Sequence, residues 1–203
     1  MGIAHSISNG GCNYDHDCDC ANLHEDKFSV VKNFDPIRYQ GEWWEIAKYP
    51  IIWEKDCEYA KAEYTWNRDS KRMKVVNICY RDDMLIRTRE GEARLSDDKY
   101  GCSKDGMLFL RFTDGLPSEP GEAPYLVHWT DYDDIAIVGG TSGDTDTNCV
   151  DKRSSNKEYL WILSRQKNIC KVKLSQVMKK ASKFGYDCDK LEVNKKLIKE
   201  CDC

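Results

Sequence analysis

The segment 33–50 constrains the fold of this chain more than any other part of the sequence. Asp35-Pro36 predicts a turn, because proline fixes its own φ and restrains the residue before it. Gly41 allows a sharp bend or a close approach to a neighbouring segment. Trp43 combines a large apolar ring system with one N–H donor, which suits a residue that plugs one end of a closed sheet. We therefore expect a short turn and then a first strand that begins near residue 42.

Alternating apolar and polar residues predict a series of antiparallel strands after this first one. The alternation is clear in residues 58–67 and is typical of a strand with one buried face. The hairpin spacing and the turn residues fit an up-and-down antiparallel barrel over about residues 42–166, and about eight strands leave room for one small ligand. The further strands are predicted at 72–80, 84–95, 107–113, 124–131, 134–139 and 158–165.

The rest of the chain surrounds this barrel. Apolar residues recur at helical spacing over about residues 173–185, and Gly185 is a natural stop, so we expect a helix packed outside the barrel. Residues 186–203 form a C-terminal tail, and residues 33–203 form one domain. Residues 1–32 read as an irregular arm rich in Cys and Asp, and residues 140–157 as a long polar loop.

Composition excludes several classes of partner. A net charge of −4 gives no electrostatic footprint for nucleic acid or for an anionic membrane. No apolar run approaches the roughly 20 residues of a transmembrane helix. The first eleven residues lack the basic start and apolar centre of a signal peptide, so we expect that a leader has been removed or that export is not used.

Eleven cysteines without paired Cys-x-x-Cys spacing favour a disulfide-stapled, secreted protein. Because eleven is odd, at least one thiol stays free or pairs between chains, and copies could join through it or through the Ile51-Ile52-Trp53 loop. The donors in residues 15–20, together with His24, are types that bind metals. Their spacing matches no closed zinc site, so we expect a flexible acidic arm with a disulfide and no metal.

Three short motifs, in order along the chain, resemble those of the lipocalin family. A glycine and a tryptophan flank one residue at the start of the first strand, a Thr-Asp-Tyr turn joins two apolar strands, and an arginine closes the last strand. In that family the arginine packs on the tryptophan, a cation–π contact of ~0.5–2 kcal/mol. The motif residues are Gly41, Trp43, Thr130, Asp131, Tyr132 and Arg165.

The resemblance implies an all-β fold, an eight-stranded up-and-down antiparallel lipocalin barrel with a C-terminal α-helix packed outside. The wording of the motifs is most similar to the bilin-binding and apolipoprotein D-like subgroup, over residues 35–39, 124–125, 129–132 and 161–165. That similarity implies a linear tetrapyrrole such as biliverdin as the leading ligand, followed by fatty acids, retinoids or steroids, with no required cofactor. The cysteine-rich arm and the 140–157 loop depart from the subgroup.

A ligand of such a barrel would lie against the inner face of each strand. Aromatic and apolar walls with a few polar groups suit a flat or elongated apolar molecule, although a bulge shifts the face by one residue. His128 either faces the cavity or packs outward against the helix or in a surface pocket. The ligand-binding candidates are Tyr64, Trp66, Met73, Val75, Phe109, Arg111, Tyr125, Val127, His128, Trp129 and Tyr159. Arginines that could meet a ligand carboxylate near the mouth are Arg38, Arg87 and Arg111.

Two disulfides are implied by the resemblance, one between Cys57 and Cys201 and one between Cys149 and the N-terminal arm. The arm offers Cys12, Cys18 or Cys20 as the partner of Cys149. Sequence alone leaves connectivity open, and further candidate pairs are Cys79 with Cys102 and Cys170 with Cys188.

The leading hypothesis for function is a secreted, non-enzymatic carrier of a small hydrophobic ligand. A second class is a lipid-isomerising enzyme, which needs a free, activated thiolate facing the cavity, and Cys79 is the candidate nucleophile. A third class is a protein-binding lipocalin that acts through its loop apices and the apolar 51–53 tip.

Overall fold

Eight antiparallel strands form a closed barrel in the structure, a computed structural model that describes residues 29–96, 105–113, 122–141 and 158–201. Each strand pairs with the next along the chain, and β8 pairs with β1 to close the barrel. The all-β, eight-stranded up-and-down architecture is therefore confirmed. The strands are β1 Gly41–Lys48, β2 Tyr59–Asn67, β3 Arg72–Arg81, β4 Met84–Leu95, β5 Met107–Phe112, β6 Ala123–Thr130, β7 Ile135–Thr141 and β8 Glu158–Ser164.

Short elements complete the fold at both ends of the chain. A single-turn helix, α1, precedes β1, and a longer helix, α2, lies outside the barrel after β8. In the described part of the chain, neither α-helix has the length and apolar character that crossing a bilayer requires. The remaining bounds are α1 Pro36–Tyr39, β9 Ile169–Cys170, α2 Lys171–Ser182, β10 Glu192–Val193 and β11 Ile198–Lys199, with 3₁₀ turns at Ile52–Glu54, Cys188–Lys190 and Lys195–Leu197.

Two apolar clusters lie on opposite sides of the sheet. The inner cluster fills the lower barrel and includes Trp43, Tyr64 and Val138. The outer cluster covers β1, β7 and β8 and receives α2, whose Leu174 and Val177 are buried in it. Because β7 and β8 are apolar on both faces, the helix covers a surface that would otherwise contact water.

The Arg165 side chain closes the base of the barrel. Its guanidinium carbon lies 3.8 Å from the centroid of the Trp43 ring. Its nitrogens donate to the carbonyls of Glu42 at 2.9 Å, Arg38 at 2.9 Å and Tyr132 at 3.1 Å. One side chain therefore both covers the indole and satisfies carbonyls from three separate segments.

Gly41 permits this packing at the start of β1. Its φ is +100°, and a Cβ at this position would lie 3.1 Å from the nearest guanidinium nitrogen of Arg165. An L side chain rarely adopts such a φ, so glycine satisfies the backbone and the space requirement together.

The Thr-Asp-Tyr motif forms the tight turn between β6 and β7. Asp131 Oδ1 accepts from the backbone nitrogens of Asp134 at 2.9 Å and Ile135 at 2.8 Å. Thr130 Oγ1 donates to the Ile135 carbonyl and accepts from the Tyr132 nitrogen. The Tyr132 hydroxyl accepts from the backbone nitrogen of Asp35, which caps α1. The turn is therefore fixed internally and bound to the helix that closes the base.

The disulfides differ from the implied pattern. Cys57 is bonded to Cys79, and Cys170 is bonded to Cys201. The prediction of a Cys57–Cys201 bridge is therefore wrong, as are the candidate pairs of Cys79 with Cys102 and of Cys170 with Cys188. Cys57 lies beside Cys79, near the C-terminal end of β3. The tail returns instead to the start of α2, where Cys201 meets Cys170. The two cysteines of the expected bridge therefore have different partners. Cys20 and Cys149 lie outside the described residues.

Removing the Arg165 side chain should weaken the base of the barrel. We expect Arg165→Ala to lower the free energy of unfolding by ~1–3 kcal/mol, because backbone carbonyls of three segments lose their donor and the indole loses its cover. Arg111→Ala, an exposed arginine on the outside of β5, is the control and should change stability by less than about 0.5 kcal/mol. Equal effects of the two variants in denaturant titrations would contradict this role of Arg165.

Non-reducing peptide mapping should recover linked peptides that contain Cys57 with Cys79 and Cys170 with Cys201. Replacing Cys170 and Cys201 together by Ser should lower the free energy of unfolding by about 3–4 kcal/mol, the chain-entropy value for a loop closed across 31 residues. A linked Cys57–Cys201 peptide would show that the family pairing applies after all.

Candidate functional site: the barrel calyx

Seven of the candidate ligand-binding residues lie on the inner wall of the barrel. In the register of β2 and β3, Tyr64 faces Val75 and Trp66 faces Met73. Trp66 lies at the bottom, beside the turn between β2 and β3, and Tyr159 lies in the upper half, stacked on Trp161 at 5.7 Å. The inward residues are Tyr64, Trp66, Met73, Val75, Tyr125, Val127 and Tyr159.

Phe109 and Arg111 face outward, so their expected place in the calyx is wrong. Leu108 on β5 pairs with Tyr125 and belongs to the inner cluster, which puts Phe109 on the other face. The Phe109 ring is covered from outside by the guanidinium of Arg94 at 4.6 Å. The sequence pattern predicts the wrong face by one residue, because β5 begins Met-Leu-Phe-Leu and all four side chains are largely shielded from water.

His128 and Trp129 also face outward. A β-bulge between Val127 and Trp129 adds one residue to β6, so that Val127 stays inside and the next two side chains point away from the calyx. The Trp129 ring receives Lys180 of α2, whose Nζ lies 3.7 Å from the ring centroid. The outward alternative for His128, packing beside the helix, is the one that the structure adopts.

His128 joins both ends of the chain to the outside of the barrel. Its Nε2 lies 2.8 Å from the Tyr186 hydroxyl, its Nδ1 contacts the Ser29 carbonyl, and its ring stacks on Phe184 at 5.2 Å. A Cβ on Gly139 would lie 2.0 Å from that hydroxyl and 2.4 Å from Nε2. The glycine on β7 is therefore required for this buried contact, and the histidine is structural.

A chain of tyrosine hydroxyls lies above the base of the calyx. The Tyr125 hydroxyl is 2.9 Å from that of Tyr39 and 2.8 Å from that of Tyr64. Burial raises the pKa of all three hydroxyls, so they stay neutral and pair with one another. The Tyr39 ring also stacks on Trp43 at 5.1 Å. The floor is therefore aromatic, with its hydroxyls already hydrogen-bonded.

A charged cluster that sequence reasoning missed lies on the upper inner wall. We call Glu45, Lys48 and Glu54 the Glu–Lys–Glu cluster. Lys48 Nζ lies 2.6 Å from a Glu45 oxygen and also contacts Glu54 from the 3₁₀ turn of the β1–β2 loop. In the register with β8, Glu45 faces Leu163 and Lys48 faces Trp161, two residues of the inner wall. The sequence does indicate that Glu45 faces inward, because it follows Trp43 by two residues and side chains two apart on a strand share a face.

Burial and mutual contacts shift the pKa values of Glu45 and Lys48 in the Glu–Lys–Glu cluster. Burial, and then repulsion from Glu54, raise the pKa of Glu45 to about 8, although Lys48 acts in the opposite direction. Burial acts to lower the pKa of Lys48, but its two carboxylate neighbours raise it overall. At neutral pH the ammonium is therefore charged, and Glu45 retains a proton.

The mouth of the calyx is held by the Cys57–Cys79 disulfide. Cys79 lies on the inner face of β3, and Cys57 anchors the β1–β2 loop beside it. The enzyme hypothesis needs a free thiolate at position 79. Cys79 is disulfide-bonded in this structure, so it is not available as that nucleophile. On β4, Arg87 and Arg89 face Cys79 and Asn77 across the register, and Arg89 lies over the Phe112 ring at 4.0 Å.

The remaining candidates lie away from the inner wall or outside the described residues. Arg38 is on the outside of the base, paired with Asp133 at 3.1 Å and stacked on Tyr132. At the loop tip, Ile51 is buried and Ile52 is 82% exposed. The Asp/His/Cys segment of residues 15–24 is outside the described part of the chain. Among the described residues, no group of three or more His, Cys, Asp or Glu side chains could hold a metal ion.

A second concavity lies outside the barrel, between α2 and the C-terminal tail. It has a volume of about 770 Å³ and is lined in part by Leu174, Met178 and Ile198. Cys188, which forms no disulfide among the described residues, lies in it and donates to the Met178 carbonyl at 3.2 Å. Burial raises the pKa of this thiol, which lowers its reactivity.

Comparison with known proteins identifies the family. The lipocalin-like domain model matches residues 34–196. Temperature-induced lipocalin-1 of Arabidopsis thaliana is 31% identical over 169 residues, which cover 81% of each chain. This chain belongs to the lipocalin family, and membership supports the binding of a small hydrophobic molecule.

Other relatives extend this picture. Apolipoprotein D of Cavia porcellus is 34% identical over 139 residues, 68% of this chain, and the match spans only 64% of that protein. The bilin-binding protein of Pieris brassicae is 29% identical over 161 residues, covering 79% of this chain and 75% of the relative. Insecticyanin of Manduca sexta shares the fold, with a TM-score of 0.62, 24% identity and 81% and 82% of the two chains covered.

The raised pKa of Glu45 should make stability depend on pH. An unfolded glutamate titrates near about pH 4.3, so between there and about pH 8 the native state holds a proton that the unfolded chain has lost. The free energy of unfolding should therefore fall as pH rises through this window, and Glu45→Gln should remove that contribution. The free energy of unfolding of Glu45→Gln, measured relative to that of the unmodified protein, should increase by more than about 1 kcal/mol between pH 5 and pH 8.

Urea unfolding at the two pH values measures this gain. Glu63→Gln is the matched control, because Glu63 lies on the outer face of β2 and is 40% exposed. Parallel pH dependences for Glu45→Gln and the unmodified protein would contradict the buried, protonated glutamate.

Proposed function

We propose that this protein is a non-enzymatic carrier that holds a bilin, with biliverdin as the leading candidate, in the barrel calyx. The observation that carries the proposal is the inner wall itself, where Tyr159 and Trp161 stack in the upper half and remain only partly buried. Partly exposed aromatic rings on an inner face offer stacking area to a flat conjugated molecule. The similarity to a bilin-binding protein supports the same ligand class.

The site of action in this proposal is an oxidising, extracellular compartment. Two disulfides hold the described part of the chain, and such bridges persist mainly outside reducing compartments. The names of the relatives include an outer membrane lipoprotein of Citrobacter freundii and a chloroplastic lipocalin of Arabidopsis thaliana, so family membership alone supports no single compartment.

Titration with biliverdin tests the proposal. Binding should quench tryptophan emission and shift the visible band of the pigment, because a rigid dry site restricts twisting of the tetrapyrrole. Trp161→Ala should weaken binding about tenfold or more, since it removes a stacking surface from the inner wall. Trp129→Ala is the matched control and should leave the affinity unchanged, because that indole lies outside the barrel.

The outcomes separate the ligand from the general function. No quenching and no spectral shift at micromolar concentrations would rule out a bilin. If a fatty-acid probe then bound and was displaced by retinoids or sterols, the protein would still be a carrier of small apolar molecules. Equal losses of affinity in the two tryptophan variants would contradict binding in the calyx.

A further inference from the structure

The Glu–Lys–Glu cluster lies where a ligand in the calyx would contact it. Glu45 and Lys48 are two and five residues beyond Trp43 on β1, and their partners on β8 are the inner-wall residues Leu163 and Trp161. The side chains of the cluster retain 12–15% exposure. Around them the wall is largely aromatic and aliphatic, so the polar group of a bound molecule would find its strongest partners here.

The cluster has two carboxyl groups but only one ammonium group. Lys48 is the ion-pair partner of both Glu45 and Glu54, and within the described residues no other Lys or Arg pairs with either carboxylate. Burial is the main cause of the raised pKa of the Tyr64 hydroxyl, and Glu45 and Glu54 act in the same direction. That hydroxyl is already hydrogen-bonded to Tyr125. The cluster therefore has acceptor capacity beyond what its single ammonium uses.

We propose that the Glu–Lys–Glu cluster selects apolar ligands whose buried polar group is an N–H donor, an amine or a pyrrole nitrogen, over ligands that present a carboxylate. This inference rests on the proposed function and names the polar chemistry that the same calyx accepts. An N–H group can donate to the carboxylate of Glu54. An ammonium ligand can also take the place of the proton on Glu45, which then goes to solvent, and donate to that carboxylate in a charge-assisted hydrogen bond that is strong when shielded from water. A ligand carboxylate would meet the carboxylate of Glu54 at short range, would find Glu45 without a compensating positive charge, and would compete for the one ammonium.

The arginines at the mouth would set the orientation of a ligand that carries both N–H groups and carboxylates. Arg87 is exposed, and Arg89 is partly exposed on the same strand, beside the Cys57–Cys79 disulfide. They lie at the open end, where solvent screens charge and a carboxylate keeps much of its hydration. A molecule with N–H groups and carboxylates would therefore enter with its N–H groups directed at Glu45 and its carboxylates at the mouth.

A pair of probes with the same hydrocarbon chain isolates the polar group. Dodecylamine and dodecanoate are compared by displacement of N-phenyl-1-naphthylamine from the full chain, below the concentrations at which either probe forms micelles. We expect the amine to bind about tenfold more tightly, as one charge-assisted hydrogen bond would give. Glu45→Gln should reduce this preference to less than about threefold, mainly by weakening amine binding.

Matched variants separate the cluster from surface attraction. Glu63→Gln makes the same substitution on the outer face and should keep the tenfold preference, although the chain is acidic overall. Glu54→Gln provides a second test if Glu45→Gln does not fold, and it should also reduce the preference.

The outcomes of these binding experiments distinguish failure of the inference from failure of the carrier function. Equal or tighter binding of dodecanoate, or a preference that Glu45→Gln and Glu54→Gln leave intact, would overturn the inference while the carrier function stands. If biliverdin, N-phenyl-1-naphthylamine and both dodecyl probes all fail to bind, the proposed function and the inference fall together.

Discussion

The stacking of Arg165 on Trp43 is the contact on which the closed end of this barrel depends. The guanidinium draws together backbone carbonyls from α1, from the start of β1 and from the β6–β7 turn, which come from distant parts of the sequence. The arginine therefore supplies donors to backbone carbonyls of three different segments at this end of the barrel. With the base sealed, Tyr39 and Tyr125 can form a dry floor, and the calyx opens at one end only.

Polarity rises from the floor of the calyx to its mouth. The lowest level is aromatic, and its hydroxyls pair with one another. The middle level of β2 and β3 carries Ala62 beside the uncharged amide of Asn77. Charged groups first occur at Glu45 and Lys48, and arginines follow at the rim. Such a gradient favours an elongated molecule that inserts its apolar part first, and it places all discrimination between polar groups in the upper half of the wall.

Motifs predicted the fold because each motif residue makes contacts that only this architecture provides. The faces of β2 and β3 followed from alternation, since their outer residues are polar. The same reasoning failed on β5, whose opening residues are shielded on both faces, and at Trp129, where a bulge after Val127 reverses the pattern. Disulfide partners depend on which loop ends meet in space, and no spacing rule shows that Cys57 lies beside Cys79. Glu45 was missed because a carboxylate on an inner face contradicts the expectation of an apolar wall.

The C-terminal tail pairs with the part of the β1 edge that β2 does not cover. β2 pairs with β1 only as far as Trp44, and beyond it β10 pairs with Ala47 and Lys48. Asn194 adds a bond from its backbone nitrogen to the Ile46 carbonyl at 2.9 Å, and the Cys170–Cys201 bridge ties the end of the tail to the start of α2. An uncovered strand edge is a template on which another chain can add a strand. The tail therefore protects this edge of β1 from strand exchange. A proteolytic cut between α2 and β10, combined with reduction of the Cys170–Cys201 bridge, would release the tail and expose the edge to self-association.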